Sequence, residues 1–309
     1  MGKINNVHDK FIRAILSDRA IAEDYFKTFL PKSVSSLLNF SSLTQLPDTY
    51  LSKELQKTMS DIVYTCRGKD NGIETKVCLL IEHKSYPDRN TPVQIGGYIF
   101  SALQKQIDNK EELTPIIPIL LYHGKGTWGY QTLSDLFKNL LPEWKHFIPD
   151  FDYVYNNLGE ISDESVEALN NKFLAASLLT LKHSFQKDWL ERNAVRILIL
   201  SEGVNSNLQE CLIVYLVDRG ELKEEEIENS LNLVSSSLKQ TVMNAFEVRE
   251  KRGKIEGIEI GSQKTRLDVV RNLTKLAVLS DDQIALATDV TVDFVRNVRA
   301  ELNLNDSNI

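Results

Sequence analysis

The chain has 309 residues, of which 42% are hydrophobic and 26% are charged. It can therefore bury a sizeable core in one or two domains and is not a disordered segment. Its 36 basic and 43 acidic residues give a net charge of −7, which argues against a uniformly basic nucleic-acid binder but leaves room for a local basic groove.

No apolar run in the sequence reaches the roughly 18 residues that a membrane span needs. The first residues lack the apolar segment of a secretory signal. Three cysteines, Cys66, Cys78 and Cys211, form neither a disulfide framework nor a metal cluster. We therefore expect a cytoplasmic protein with reduced thiols and no membrane partner.

The first third of the chain combines helical and strand patterns. Apolar residues at helical spacing predict one helix over residues 8–29, which Pro31 ends. Two segments rich in β-branched and apolar residues, 61–67 and 75–84, predict two strands of a hairpin. A helix is predicted over residues 91–108.

The pattern continues through the middle of the chain. The apolar run at 115–123 predicts a strand buried on both faces. A helix is predicted over 133–141, a further strand over 151–158, and helices from residue 163 onward. This order of elements predicts a mixed sheet flanked by helices, followed by a helical C-terminal region.

Three glycines recur every four residues late in the chain: Gly253, Gly257 and Gly261. This spacing places them on one helical face among charged neighbours, which indicates a polar helix or a hinge where backbones approach closely.

The end of the chain, residues 267–302, predicts a helix-turn-helix hairpin. Ser280 and Gln283 match a capping box at the start of one helix, and Thr291 can cap the next. Asp289 lies at the turn, and aspartate tolerates a left-handed backbone conformation there.

The most informative pattern is the predicted hairpin, because Asn71-Gly72 is a strong signal for a two-residue turn. Counting outward from that turn predicts three pairs of facing residues: Thr65 with Cys78, Val63 with Leu80, and Asp61 with Glu82. Residues that face each other in this way have Cβ atoms about 4.5–5.5 Å apart. The register therefore places two carboxylates side by side.

Adjacent carboxylates repel each other unless a cation neutralises them, and oxygen ligands of this kind suit Mg²⁺. Lys84 lies on the same strand face as Glu82 and can orient or deprotonate a metal-polarised water. The His83 side chain points to the other face, although its carbonyl oxygen can reach the cation. The alternative is structural: Asp61 is a surface carboxylate or strand terminus, and Glu82 and Lys84 belong to an ordinary solvated face.

Taken together, these residues resemble the D…ExK…QxxxY signature of PD-(D/E)xK nucleases. The chain is most similar to the Rpn-type family of recombination-promoting nucleases and transposase-like proteins. The signature residues are Asp61, Glu82-His83-Lys84 and Gln94-Ile-Gly-Gly-Tyr98. The stretches similar to the Rpn-type family are His8-Asp9-Lys10-Phe11, Ser60-Asp61-Ile-Val-Tyr64, Ile81-Glu-His-Lys-Ser85 and Pro115–Gly124 with Trp128. The glycine-periodic segment and the C-terminal hairpin also resemble the tail of that family.

This resemblance implies a Mg²⁺-dependent DNA endonuclease on a restriction-endonuclease-like α/β core, in which Mn²⁺ can substitute. It implies that Asp61 and Glu82 are metal ligands and that Lys84 is the catalytic lysine. Gln94 and Tyr98 would support them, and Asp9 would be a further acidic residue at the metal. The chain has Lys84 where many relatives have glutamine, and Asp289 where the family's hairpin turn usually has glycine.

Each of these residues also has a structural interpretation. Gln94 can be a capping-box partner of Thr91, Tyr98 can be a core residue, and Asp9 suits a helix N-terminus in any protein. A further group is expected to be structural: His123 and Trp128 in a glycine-rich loop, and Gly96 and Gly97 where a helix approaches the sheet closely.

The organisation that follows is a nuclease-like core over 1–200, a helical extension over 201–250, and a glycine-periodic linker with a helical hairpin over 251–309. Three functions remain open. The first is a metal-dependent endonuclease acting on DNA in recombination or in a mobile element. The others are a DNA-binding module that no longer cuts and a protein-interaction factor, and the C-terminal helices offer a surface for homo-oligomerisation.

Overall fold

A computed structural model of the chain describes residues 7–47, 62–69, 76–227 and 230–306. The chain divides into two compact units, Met1–Phe246 and Glu247–Ile309. Within the described ranges, no helix combines the length and the apolar character that crossing a membrane requires.

The first unit is built on a five-stranded mixed sheet. Its strands are β1 (Leu38–Gln45), β2 (Ile62–Gly68), β3 (Lys76–Lys84), β4 (Ile116–Tyr122) and β5 (Val154–Asn157), and they lie side by side in chain order. The pairs β1–β2 and β2–β3 are antiparallel, whereas β3–β4 and β4–β5 are parallel. The predicted mixed sheet is confirmed, and β1 is a strand that the sequence pattern did not indicate.

Helices cover both faces of this sheet and fill the second half of the unit. They are α1 (Val7–Leu16), α2 (Arg19–Phe29), α3 (Lys32–Ser35), α4 (Thr91–Asp108), α5 (Pro142–Lys145), α6 (Asp163–Glu167), α7 (Lys172–Lys182), α8 (Lys187–Leu200), α9 (Ser206–Gly220) and α10 (Glu224–Ile227). The final helices are α11 (Ser236–Leu276), α12 (Asp281–Thr288) and α13 (Val292–Asp306).

Two predicted helices are wrong. The expected helix over 8–29 is broken because the Asp18 carboxylate accepts hydrogen bonds from the backbone N–H groups of Ala20 and Ile21, at 2.9 and 3.2 Å, and so caps α2. The expected helix over 133–141 is reduced to one 3₁₀ turn at Ser134–Leu136. There the Asp135 carboxylate accepts from both the N–H and the hydroxyl of Thr132, and such local bonds compete with a helix.

The predicted register of the hairpin is confirmed for the described residues. Thr65 pairs with Cys78, Val63 with Leu80, and Ile62 with Ile81. Asp61 and the proposed Asn71-Gly72 turn lie outside the described residues, so the pairing of Asp61 with Glu82 stays a prediction.

Residues of β3 alternate between two cores. Leu79 and Ile81 belong to the large core that includes residues of α1, α2 and α7–α9, whereas Leu80 packs with Tyr98 and Ala102 of α4. β4 alternates in the same way, with Leu121 in the large core and Leu120 on the α4 side. The next even residues of β3, 82 and 84, therefore face α4, and residue 83 faces the helical half.

The second unit has a core of its own. Buried residues of α11, α12 and α13 form it: Val270, Ile284, Ala285, Val295 and Val298. The predicted capping box at Ser280 and Gln283 and the left-handed backbone at Asp289 (φ 53°) are confirmed. The three periodic glycines lie within α11, and an added Cβ would meet nothing within 4 Å, so they mark a polar helix and not a close approach.

Candidate active site

Lys84, the last residue of β3, makes the central contacts of the site. Its Nζ lies 3.1 Å from Glu82 Oε1 and 3.4 Å from Asp88 Oδ2, and it donates a 2.8 Å hydrogen bond to Gln94 Oε1. The Glu82, Lys84 and Asp88 side chains are 7%, 12% and 19% exposed. The structure thus brings three predicted site residues, Lys84, Glu82 and Gln94, together with one acid that sequence reasoning missed.

Asp88 shapes the turn that joins β3 to α4. Its Oδ1 accepts a 2.9 Å hydrogen bond from the Asn90 N–H, and its carbonyl accepts from the Thr91 N–H at 3.1 Å. Its Oδ2 accepts a 3.1 Å bond from Gln94 Nε2. One carboxylate therefore sets the start of α4 and also fixes the direction of the Gln94 amide. The signal available in the sequence was the aspartate in the short turn between Lys84 and Gln94.

The capping-box interpretation of Gln94 is wrong. Thr91 is the first residue of α4, so the N-cap is Asn90, which makes no side-chain capping bond. The Thr91 hydroxyl is buried and has no hydrogen-bond partner among the described residues. Gln94 instead uses both atoms of its amide group within the site.

The two strand ends at the site are held close by a glycine. A Cβ added at Gly124 would lie 2.5 Å from the carbonyl oxygen of Ser85 and 2.6 Å from the Tyr122 ring. Only glycine fits there, and the His123 N–H donates to the Lys84 carbonyl at 3.1 Å beside it. The loops after β3 and β4 therefore pack directly on each other.

Electrostatics keep Lys84 charged. Burial by itself lowers the pKa of Lys84, but the charges and hydrogen bonds of Glu82 and Asp88 raise it by more. The pKa of Lys84 is therefore above its ordinary value, and the side chain is an ammonium ion at neutral pH. This favours the orienting role of Lys84 over the deprotonating one.

Tyr98 and the glycines of α4 lie deeper. The Tyr98 ring is 3% exposed and packs against Val63, Cys78 and Leu80. Gly96 faces the ring of Phe151, 3.2 Å from an added Cβ, and Gly97 faces open space. We expected both glycines to lie close to the sheet. Instead, Gly96 lies close to the Phe151 ring, and Gly97 makes no close approach.

The donor chemistry of the site suits a hard divalent cation, since Glu82 is a buried carboxylate at the end of a core strand. Within the described residues no group of three or more His, Cys, Asp or Glu side chains is arranged to hold a metal ion. The second predicted ligand, Asp61, lies outside those residues, and so the metal site stays a prediction.

Asp9 and His83 contact each other on the opposite side of β3. The His83 Nδ1 and Asp9 Oδ1 atoms are 2.9 Å apart. Asp9 therefore lies beside the His83 imidazole and not beside the Glu82 carboxylate. The His83 ring also stacks on His123, with ring centroids 4.6 Å apart, and this cluster of histidines was not foreseen.

His123 and Trp128, the other two residues of the predicted structural group, are both buried. Trp128 is 7% exposed and contacts the Tyr122 ring edge to face, with centroids 5.0 Å apart. Its carbonyl accepts a hydrogen bond from the Tyr155 hydroxyl. The expectation that Trp128 is structural fits these contacts.

Comparison with known proteins places the chain in a family. A sequence model of the family described as "Putative transposase, YhgA-like" matches residues 6–210, more than half of the chain, so the chain belongs to this family. The chain is 22% identical to the recombination-promoting nuclease RpnC of Escherichia coli K12, over 71% of this chain and 73% of the relative. It is 21% identical to the inactive recombination-promoting nuclease-like protein RpnE of the same strain, over 69% and 71%. No solved structure matches the chain significantly.

Proposed function

We propose that this member of the YhgA-like transposase family is a metal-dependent DNA endonuclease that hydrolyses phosphodiester bonds in DNA recombination. One observation carries the proposal: a buried Glu82 and an ammonium-bearing Lys84 share one strand face, where Gln94 and Asp88 hold the lysine. A nuclease-like role in recombination is also supported by the name of RpnC.

In this proposal Glu82 and Asp61 hold Mg²⁺ or Mn²⁺, and the His83 carbonyl contributes a further oxygen. When bound, the cation would act as a Lewis acid that polarises water and the scissile phosphate. Lys84 places its positive charge where negative charge accumulates on the phosphate during hydrolysis. Gln94 and Asp88 keep that charge in one position, and Tyr98 packs α4 against β2 and β3.

The restriction-endonuclease-like fold belongs to the same proposal. The supporting feature is a mixed sheet whose antiparallel β2–β3 pair leads into parallel β4, with α4 as the crossover. In such a sheet the functional side chains gather where β3 ends, which is where Glu82 and Lys84 lie.

A second candidate function is a DNA-binding or protein-interaction factor on the same fold that no longer cuts. The observation in its favour is that RpnE, a relative of similar identity, is named inactive. The presence of Lys84 in this chain, together with its three side-chain contacts, favours the enzyme.

The test is cleavage of supercoiled plasmid and linear DNA by the purified full chain with Mg²⁺, Mn²⁺, Ca²⁺ or EDTA. We expect nicking or cutting with Mg²⁺ and Mn²⁺, none with EDTA, and a loss of cleavage in Glu82→Gln. Glu23→Gln is the matched control, because Glu23 is a surface carboxylate that pairs with Lys27 on α2. Wild-type protein that binds DNA and cuts under none of these conditions would establish the second candidate.

A further inference from the structure

Three histidines from distant parts of the chain meet on the helical side of β3. His8 comes from α1, His83 from β3 and His123 from the end of β4. The ring centroids are 4.6 Å apart for His83 and His123, 4.9 Å for His8 and His123, and 6.4 Å for His8 and His83. Each histidine belongs to a different one of the sequence motifs described above, so the motifs converge here as well as at Glu82 and Lys84.

Hydrogen bonds fix the proton positions of two of these rings. His83 Nδ1 faces the Asp9 carboxylate at 2.9 Å, and His123 Nδ1 faces the Leu181 carbonyl oxygen at 3.0 Å. Because a carboxylate and a carbonyl only accept, Nδ1 carries the hydrogen and donates in both rings. The remaining Nε2 atoms of both rings are buried and have no hydrogen-bond partner among the described residues.

Packing alone does not account for these imidazoles. A buried polar atom without a partner costs about 1–3 kcal/mol, and a phenyl ring would fill similar space without that cost. A phenyl ring, however, has no N–H group and cannot donate the hydrogen bond that Nδ1 of histidine donates. The feature that distinguishes His83 from an apolar residue is therefore its bond to Asp9.

The His83 ring is also held in a stack. It is nearly parallel to His123 (17°), and His123 is nearly parallel to Phe185 (12°, centroids 5.7 Å apart). Lys125 Nζ and Arg219 Cζ lie 5.7 and 5.9 Å from the centre of the Phe185 ring, at the far end of the stack. The stack thus ties the end of β3 to the end of β4 and to the helical half of the unit.

We propose that Asp9 and His83 are positioning residues for the nuclease site: the Asp9–His83 hydrogen bond fixes the strand segment that presents Glu82 and Lys84 on its opposite face. The inference rests on the proposed function. Successive residues of a strand point to opposite faces, so a rotation of residue 83 about the strand axis moves both of its neighbours. A displacement of about 1 Å at a catalytic group can lower a rate by about 10²-fold.

The geometry does not favour a second metal site at these histidines. The stacked rings of His83 and His123 direct their nitrogens alongside each other and not toward one point. In the described part of the chain, no group of three or more possible metal ligands is found.

The experiment compares His83→Phe, Asp9→Ala, Asp9→Asn and the double variant Asp9→Ala/His83→Phe with the wild-type full chain. His83→Phe keeps a ring in the stack and removes the donor, whereas Asp9→Asn keeps an acceptor oxygen. His183→Phe is the matched control. His183 lies 2.9 Å from Asp163 and stacks on Trp189, so this substitution removes a similar histidine–aspartate pair outside the site. The readouts are kcat and KM for DNA cleavage, and the rise in Tm that Mn²⁺ produces.

We expect kcat to fall about 10–100-fold in His83→Phe and Asp9→Ala. In both variants the KM for DNA should be unchanged and the rise in Tm with Mn²⁺ should be smaller than in wild type. Asp9→Asn should have a kcat close to that of wild type. The double variant should lose no more cleavage activity than His83→Phe alone, since the two substitutions remove the same interaction. The inference is overturned if His83→Phe cuts at the wild-type rate, if Asp9→Asn is as impaired as Asp9→Ala, or if His183→Phe loses as much.

Two further results separate this inference from the proposed function. Cleavage that depends on Lys84 but not on His83 or Asp9 overturns this inference alone. A wild-type protein that cuts no DNA with any divalent cation overturns both. If His83→Phe does not fold, the comparison of Asp9→Ala with Asp9→Asn decides.

Discussion

The Lys84 ammonium donates to the Gln94 amide oxygen at 2.8 Å, across the gap between the central strand and the helix that follows it. The amide nitrogen of Gln94 donates in turn to Asp88, which itself lies 3.4 Å from Lys84. The three side chains form a closed set of contacts, so the direction of the Lys84 charge is set before any substrate binds. Such preorganisation is what makes a charged group effective in catalysis.

Lys84→Ala should reduce DNA cleavage by about 10²–10³-fold, because a positioned charge that stabilises the transition state is lost. The fold and most of the DNA affinity should remain. Without divalent cation the variant should unfold at lower temperature than wild type, since the buried Glu82 carboxylate loses its cationic partner. Single-turnover cleavage, DNA binding and thermal unfolding measure these three effects.

Lys27→Ala is the control for that substitution, because Lys27 also pairs with a carboxylate but lies on the surface of α2. Its cleavage rate should equal that of wild type. If Lys84→Ala cut as fast as Lys27→Ala, any observed nuclease would use another site. If Lys84→Ala failed to fold even with Mg²⁺, the Glu82–Lys84 pair would be structural.

Binding of Mg²⁺ or Mn²⁺ to Glu82 and Asp61 should raise the thermal stability of the wild-type protein, because a ligand that binds only the native state stabilises it. The gain is about 2.7 kcal/mol at a cation concentration of 100 times Kd. Asp61→Ala and Glu82→Gln should each abolish the gain. Asp61→Ala should also raise the stability of the metal-free protein slightly, by relieving repulsion between carboxylates.

Differential scanning fluorimetry with and without each cation provides the measurement, and Glu23→Gln should keep the full wild-type gain. An Asp61→Ala protein that responds to Mg²⁺ as wild type does would exclude Asp61 as a ligand.

Local patterns in the sequence predicted the parts of the fold that local forces decide. The β2–β3 register could be predicted from the Asn71-Gly72 turn signal, because the length of a hairpin turn determines which residues of the two strands pair. The bounds of α4 and the Ser280 cap follow from residues within a few positions of each helix start. Glu82 and Lys84 could be grouped because they lie on one strand face, and the resemblance to the nuclease signature added Gln94.

The misses have equally physical causes. Helical periodicity continues through Asp18 because α1 and α2 both bury residues in the same core, so only the capping bonds of Asp18 reveal the break. β1 was not foreseen because the alternation of buried and polar residues that predicts a strand is interrupted at Ser41-Ser42, where the register between β1 and β2 shifts. The Asp9–His83 contact joins residues 74 positions apart, and no periodic pattern reports a contact of that kind.

Removing residues 262–309 should leave the chemistry of cleavage intact. The deletion takes away Val270, Ile284 and Val295 from the core of the second unit, whereas the core of the first unit reaches Ala245 and is retained. We expect the single-turnover rate of DNA cleavage at saturating enzyme concentration to be unchanged. The oligomeric state or the DNA affinity should change. Light scattering and DNA-binding titration give the last two, and a folded truncation without turnover at any enzyme concentration would contradict the prediction.

Acid should destabilise the protein through His8. Burial, the charge of Arg219 and the nearby His83 lower the pKa of His8 from 6.5 to about 4, against an opposing effect of Asp9. Between pH 6.5 and pH 4 the unfolded chain binds a proton at His8 that the folded chain does not bind. Stability is therefore lost as pH falls from about 6.5 toward 4. The loss between pH 7 and pH 5 should be about 2 kcal/mol from this group.

Urea unfolding of wild type, His8→Asn and His146→Asn at several pH values tests this effect. His123 shares the cluster, and its pKa is also lowered, mainly by burial, so His8→Asn should remove only part of the acid sensitivity. The exposed His146 serves as control, and its substitution should leave the pH dependence unchanged. Equal slopes in His8→Asn and wild type between pH 7 and pH 5 would show that His8 binds its proton as readily in the folded chain as in the unfolded one.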